Sequence, residues 1–110
     1  MPEDYTALVD ALKASGIPFA EYDWKTRPTG DYGTVSLDFE AGADHGDDRK
    51  VARAWSGSVD LFMHGRDAAK IATVETILGE HCFGCWMCES IQHERETGLI
   101  HYEWSFEVEE

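Results

Sequence analysis

Basic residues are scarce in this chain: nine Lys and Arg stand against 22 Asp and Glu, for a formal charge of −13. A surface of that sign repels nucleic-acid phosphates and anionic lipid headgroups, which disfavours direct wrapping of DNA and membrane binding. Long apolar runs are missing too, and nothing approaches the ~20 residues a membrane span needs. The opening Met1-Pro2-Glu3-Asp4 lacks the basic and apolar regions of a signal peptide, so the expected compartment is the cytosol. There are three cysteines, Cys82, Cys85 and Cys88. They cannot all pair, and they lie too close together to staple distant parts of a fold.

Diagnostic catalytic motifs are also lacking. No Gly-x-Ser-x-Gly elbow, His-Glu-x-x-His helix or papain-like cysteine signature accompanies His45, His64, His81, His93 and His101, which read as surface or sheet-edge residues. Gly30 and Gly33 precede a strand pattern and no Gly-Lys-Ser/Thr, so nucleotide binding has no support. Asp44, Asp47 and Asp48 lack the alternating ligands and closing glutamate of a calcium loop. Cys82-x-x-Cys85-x-x-Cys88 beside His81 suggests zinc, but on a single strand Cys85 would face away from the outer pair, themselves about 20 Å apart. Only a turn at Phe83-Gly84 would bring Cys82 and Cys85 together, so buried or half-buried thiols are the favoured reading. Trp24, Trp55, Trp86 and Trp104 have no basic groove beside them and read as core and subunit-contact residues, not a stacking platform for single strands. No catalytic, cofactor-binding or metal site is expected, and the chain reads as a non-enzyme.

What is present is a foldable domain. Apolar residues make up 43% of the 110, enough to offset the ordering entropy of one compact unit over residues 1–110. Asp4 is a good N-cap, and Tyr5, Leu8, Val9 and Leu12 follow with helical spacing until Gly16 and Pro18. Phe19 to Trp24 reads as a short strand and Arg27 to Gly33 as a loop. Val35, Leu37 and Phe39 then alternate with polar residues as one face of a half-buried strand. Val51, Trp55, Val59, Leu61 and Met63 share a parity, predicting a long strand bent or bulged near Gly57. Asp67 opens a second helix with the stripe Ala68, Ile71, Val74, Ile77 and Leu78, ended by Gly79.

The last third predicts a hairpin. Phe83, Cys85, Met87 and Ile91 mark one face of its first strand, and Ile100, Tyr102, Trp104, Phe106 and Val108 mark the same sheet face on its second. Arg95-Glu96-Thr97-Gly98 supplies a turn whose length agrees with that pairing. The implied fold class is α+β, in the order α-β-β-β-α-β-β, with a mainly antiparallel sheet of four to five strands carrying two helices on one face.

Two stretches resemble a known family. Arg66-Asp67-x-x-Lys70-x-x-x-Val74-Glu75-x-x-Leu78, with Glu94-x-x-Thr97-Gly98-Leu99-Ile100-His101-Tyr102-Glu103-Trp104-Ser105-Phe106-Glu107, resembles the small tail-completion or tail-terminator proteins of long-tailed phages and prophages. The opening helix ending in Ala14-Ser15-Gly16-Ile17-Pro18-Phe19 is similar to the same group. The resemblance implies a small α+β subunit assembling into a ring, often a hexamer, that caps the tail tube and meets head-tail connector proteins. It would be made in the host cytoplasm and carried in the virion tail. The cysteine-rich stretch from Cys82 to Cys88 is not a feature of that group.

Residues 41–50 hold no large apolar residue and are expected to form an exposed acidic loop. Within it Asp44, His45, Asp47, Asp48 and Arg49 are the candidate residues for a subunit interface or a ring lumen, where negative charge would keep passing DNA from sticking. Two alternatives fit the same sequence: a head-closure or other neck or minor tail protein, and an acidic DNA-mimic inhibitor of a nucleic-acid enzyme.

Overall fold

The computed structural model describes residues 2–41 and 54–109. The candidate interface residues Asp44, His45, Asp47, Asp48 and Arg49, and Val51 of the expected long strand, lie outside the described residues.

The element order is α1 (Glu3–Lys13), β1 (Phe19–Glu21), β2 (Tyr32–Ala41), β3 (Ala54–Met63), α2 (Ala68–Cys82), β4 (Trp86–His93) and β5 (Ile100–Glu109). The five strands form one sheet in the order β1-β2-β3-β5-β4. The pair β1–β2 is parallel and the other three are antiparallel. This is the α+β fold the periodicities predict, built from two hairpins joined through their second strands.

Both helices cover one face of the sheet. Tyr5, Leu8, Val9 and Leu12 of α1 and Ile71, Val74, Leu78 and Cys82 of α2 are buried against Val35, Val59, Leu61, Met63, Tyr102, Trp104, Phe106 and Val108. The helix stripes therefore do what their spacing implies. The first cap differs: α1 begins at Glu3 with Pro2 in the cap position and no side-chain bond there. The ring of Pro2 presets φ near its required value, its carbonyl accepts from the Thr6 N–H at 3.1 Å, and Asp4 sits inside the first turn. At α2 the expected cap is found, with Asp67 Oδ1 accepting from the Ala69 and Lys70 N–H groups at 3.0 and 3.2 Å.

α2 runs through Gly79 to Cys82. A glycine inside a helix costs only about 1 kcal/mol against alanine, and continuing one turn buries Cys82 on the same stripe as Leu78. The stop comes from Phe83 and Gly84, both with left-handed φ (49° and 84°), and the Cys85 N–H returns to the Cys82 carbonyl at 2.9 Å. Phe83 is thus a helix-end residue, 75% exposed, and not the first apolar residue of a strand.

Two β-bulges change the expected faces. In β2 the register slips between Leu37, opposite Gly57, and Phe39, opposite Ser56. The irregularity expected near Gly57 thus lies in the strand facing it. Phe39 is thrown onto the outer face, 62% exposed, instead of following Val35 and Leu37 inward. In β4 the register slips between Cys88 and Ser90. Ile91 pairs with Tyr102 as expected, but beyond the bulge Met87 pairs with Ser105 and faces outward. The hairpin turn is as expected: Glu94 N–H donates to the Leu99 carbonyl at 2.8 Å and closes residues 95–98.

Candidate interaction surface on the open face of the sheet

Both helices lie on one side, and no helix among the described residues covers the other side of the sheet. Its residues are those out of phase with the core: Tyr32, Thr34 and Ser36 of β2, Ser56, Ser58, Asp60 and Phe62 of β3, and His101, Glu103, Ser105 and Glu107 of β5. Two depressions occupy it.

The first, about 720 Å³, lies beside the β4–β5 turn. Its floor is a row of rings crossing the strands. Trp24 meets Tyr32 edge-on at 6.3 Å, Tyr32 stacks on Phe62 at 4.9 Å, and Phe62 stacks on His101 at 4.2 Å. The Trp24 Nε1–H donates to the Gly33 carbonyl at 3.0 Å, pinning the β1–β2 connection over the row. Arg27 and Arg95 line the same cleft together with Asp23, Glu94 and Glu96.

His101 is held between acids, its Nε2 2.7 Å from Asp60 Oδ1 and its Nδ1 3.7 Å from Glu94 Oε2. It belongs to β5, an interior strand of the sheet, and is mostly covered, which corrects the surface or sheet-edge reading for this histidine. The bond to Asp60 raises its pKa above the ordinary histidine value, outweighing burial, which lowers it. A raised pKa gives stability that is fully present below about pH 6.5 and lost as pH rises through the folded value. In an NMR titration His101 is expected to protonate above the ordinary range. Asp60→Asn is expected to bring its midpoint down and to remove the loss of stability that follows its deprotonation. A midpoint unmoved by Asp60→Asn would refute the assignment.

The second depression, about 670 Å³, lies at the other end of the face. Its floor carries small residues, among them Ser56, Ser58 and Ser105, and Phe39 from β2 and Met87 from β4 line it from opposite sides. The serines fix carboxylates. Asp38 accepts from Ser36 Oγ at 2.7 Å and from Ser58 Oγ at 2.9 Å, and Glu89 accepts from Ser105 Oγ at 2.7 Å. Asp38 and Glu89 are the residues at the two bulges, so each irregularity delivers an acid bonded to a serine of the adjacent strand. Keeping Phe39 in phase would have buried it, worth about 1.5–3 kcal/mol.

The remaining chemistry is structural. Asp31 bridges β2 to the start of α2, accepting from the His64 N–H at 2.9 Å and from Lys70 Nζ at 2.8 Å. Burial would raise its carboxyl, but these bonds outweigh burial and hold it at about 2. Tyr5 donates its hydroxyl to Glu21 Oε2 at 2.6 Å, and burial pushes its pKa far up.

All three cysteines are free thiols. Cys82 is buried as expected, and burial pushes it up to about 12, so it is not a thiolate at neutral pH. Cys85 and Cys88 are exposed, so the reading of buried or half-buried thiols holds for Cys82 alone. The Phe83-Gly84 turn exists, but no group of three His, Cys, Asp or Glu suited to a metal ion occurs among the described residues. Periodicity could not reveal the outer-face trough, because its walls depend on the two bulges.

No protein-family model and no curated protein matches the chain. Among solved structures it is similar to a chain of the virion of a native gene transfer agent particle, at 14% identity and a TM-score of 0.52. The likeness covers 96% of this chain and 94% of that one. At that identity it is a likeness of fold, extending over nearly the whole chain.

Proposed function

We propose that this chain is a structural protein of a phage-like virion, and more narrowly a tail-terminator or tail-completion subunit that forms a ring at the head-proximal end of the tail tube. The observation that carries this reading is the end-to-end fold likeness to a chain of a gene transfer agent virion. It agrees with the resemblance in the second helix and final hairpin, where Asp67 caps α2 and Glu94 to Leu99 form the turn. The outer face supports it as well: an open sheet with exposed Phe39 and Met87 is a surface made for contact with other proteins.

The test is immunogold labelling of purified particles with an antibody against this chain. Label confined to the junction of head and tail, with about six copies per particle by quantitative mass spectrometry, is the expected result. Label along the tail, or particles without the chain, would reject the terminator reading. Label on the head side of the junction would point instead to head closure.

A further inference from the structure

We propose that the serine-floored trough on the outer face is a docking site for a basic, amphipathic segment of another protein, one that sets large apolar side chains between Phe39 and Met87 and Lys or Arg against the surrounding acids. The inference concerns the chemistry of this face and does not rest on the virion reading.

Three observations converge on that occupant. Phe39 and Met87 are 62% and 57% exposed and line the trough from opposite sides, so it has an apolar wall at each side of its serine floor. The trough also carries Asp38, Glu89, Glu103 and Glu107, and no Lys, Arg or His among the described residues lines it. The first depression differs in this respect, mixing Arg27, Arg95 and His101 with its acids. Finally, the arrangement is built: each of the two bulges re-aims its strand at this end of the face and sets an acid against a serine of the next strand.

Charge decides among occupants. A nucleic acid would bring phosphates to four carboxylates. A second copy carries a further −13. Among the described residues four of its six Lys and Arg are engaged or flanked by acids: Lys70 bonds Asp31, Arg66 Nε bonds the Tyr102 hydroxyl, and Arg27 and Arg95 share a cleft with Asp23, Glu94 and Glu96. A basic segment of a different protein satisfies both the apolar walls and the acidic surround.

The test uses a fluorescein-labelled 14-residue Lys/Leu amphipathic peptide and a Glu/Leu counterpart, read by fluorescence anisotropy at two salt concentrations. The folded chain is expected to bind the Lys/Leu peptide in a salt-dependent way and the Glu/Leu peptide at least tenfold more weakly. Phe39→Ser with Met87→Ser, which leaves the charge unchanged, is expected to weaken binding at least tenfold, with circular dichroism confirming the fold. Glu103→Gln with Glu107→Gln should do the same and flatten the salt dependence. Asp10→Asn with Glu80→Gln removes equal charge from the helix layer and should change affinity less than twofold. Binding unaffected by the serine pair would overturn the proposal. So would equal loss from both charge pairs, or a dimer by light scattering that the serine pair dissolves.

Discussion

Replacing Trp104 by alanine is expected to cost about 3–5 kcal/mol of stability, a large part of the 5–15 kcal/mol a domain of this size has in total. Trp104 lies on β5, paired to β3 on one side and β4 on the other, and is fully buried. Its ring packs 5.6 Å from Tyr102, beneath the helix layer. Lost transfer energy and a cavity act together, because a packed core relaxes only partly around a deleted side chain. Its Nε1–H also donates to Glu75 Oε2 at 3.0 Å, tying the sheet to α2, and truncation leaves that carboxylate without its partner. Trp104→Phe should fall between, keeping most of the volume and losing the bond. Urea unfolding followed by far-ultraviolet circular dichroism measures both, since tryptophan emission would itself change. A loss below about 1 kcal/mol for the alanine variant would contradict this account of the core.

The second large effect is steric. Gly57 lies on β3 opposite the bulge, and a Cβ there would collide with the Ser36 carbonyl oxygen and the Phe106 ring. Ser36 presents backbone and cannot rotate away, while Phe106 is locked in the core. Gly57→Val should therefore destabilise by about 3 kcal/mol or more, by parting β2 from β3. Gly79 offers the opposite case in the same chain. It sits inside α2, exposed, with only Trp86 Nε1 within 4.0 Å of an added Cβ. Gly79→Ala should stabilise by about 0.5–1 kcal/mol. A stable Gly57→Val would refute the steric reading of that site, and a destabilised Gly79→Ala the reading of the other.

Much of the architecture is legible in the sequence because burial imposes a period. Tyr5, Leu8, Val9 and Leu12 can share a solvent-hidden side only as a helix, and Tyr102, Trp104, Phe106 and Val108 only as a strand. The bulges are invisible to such reasoning, since one extra residue shifts the phase with no mark in composition. Alternation therefore places Phe39 and Met87 inward, whereas they lie outward. Gly79 misleads for a different reason: as a stop signal it is outweighed by the burial of one more turn, and the true end is set by backbone angles at Phe83 and Gly84. The candidate surface on the outer face is the least legible part, because it combines residues from β2, β3, β4 and β5 that only the register brings together.

The pairing of β3 with β5 has a consequence for how the chain reaches its native state. Within each hairpin the partners are near in sequence, but Met63 meets Ile100 only after α2 and β4 have been looped out. Closing that loop costs on the order of 3 kcal/mol in chain entropy before any contact offsets it. The middle of the sheet is thus its most non-local seam, and Val59, Leu61, Tyr102 and Trp104 are the side chains whose desolvation must drive it shut.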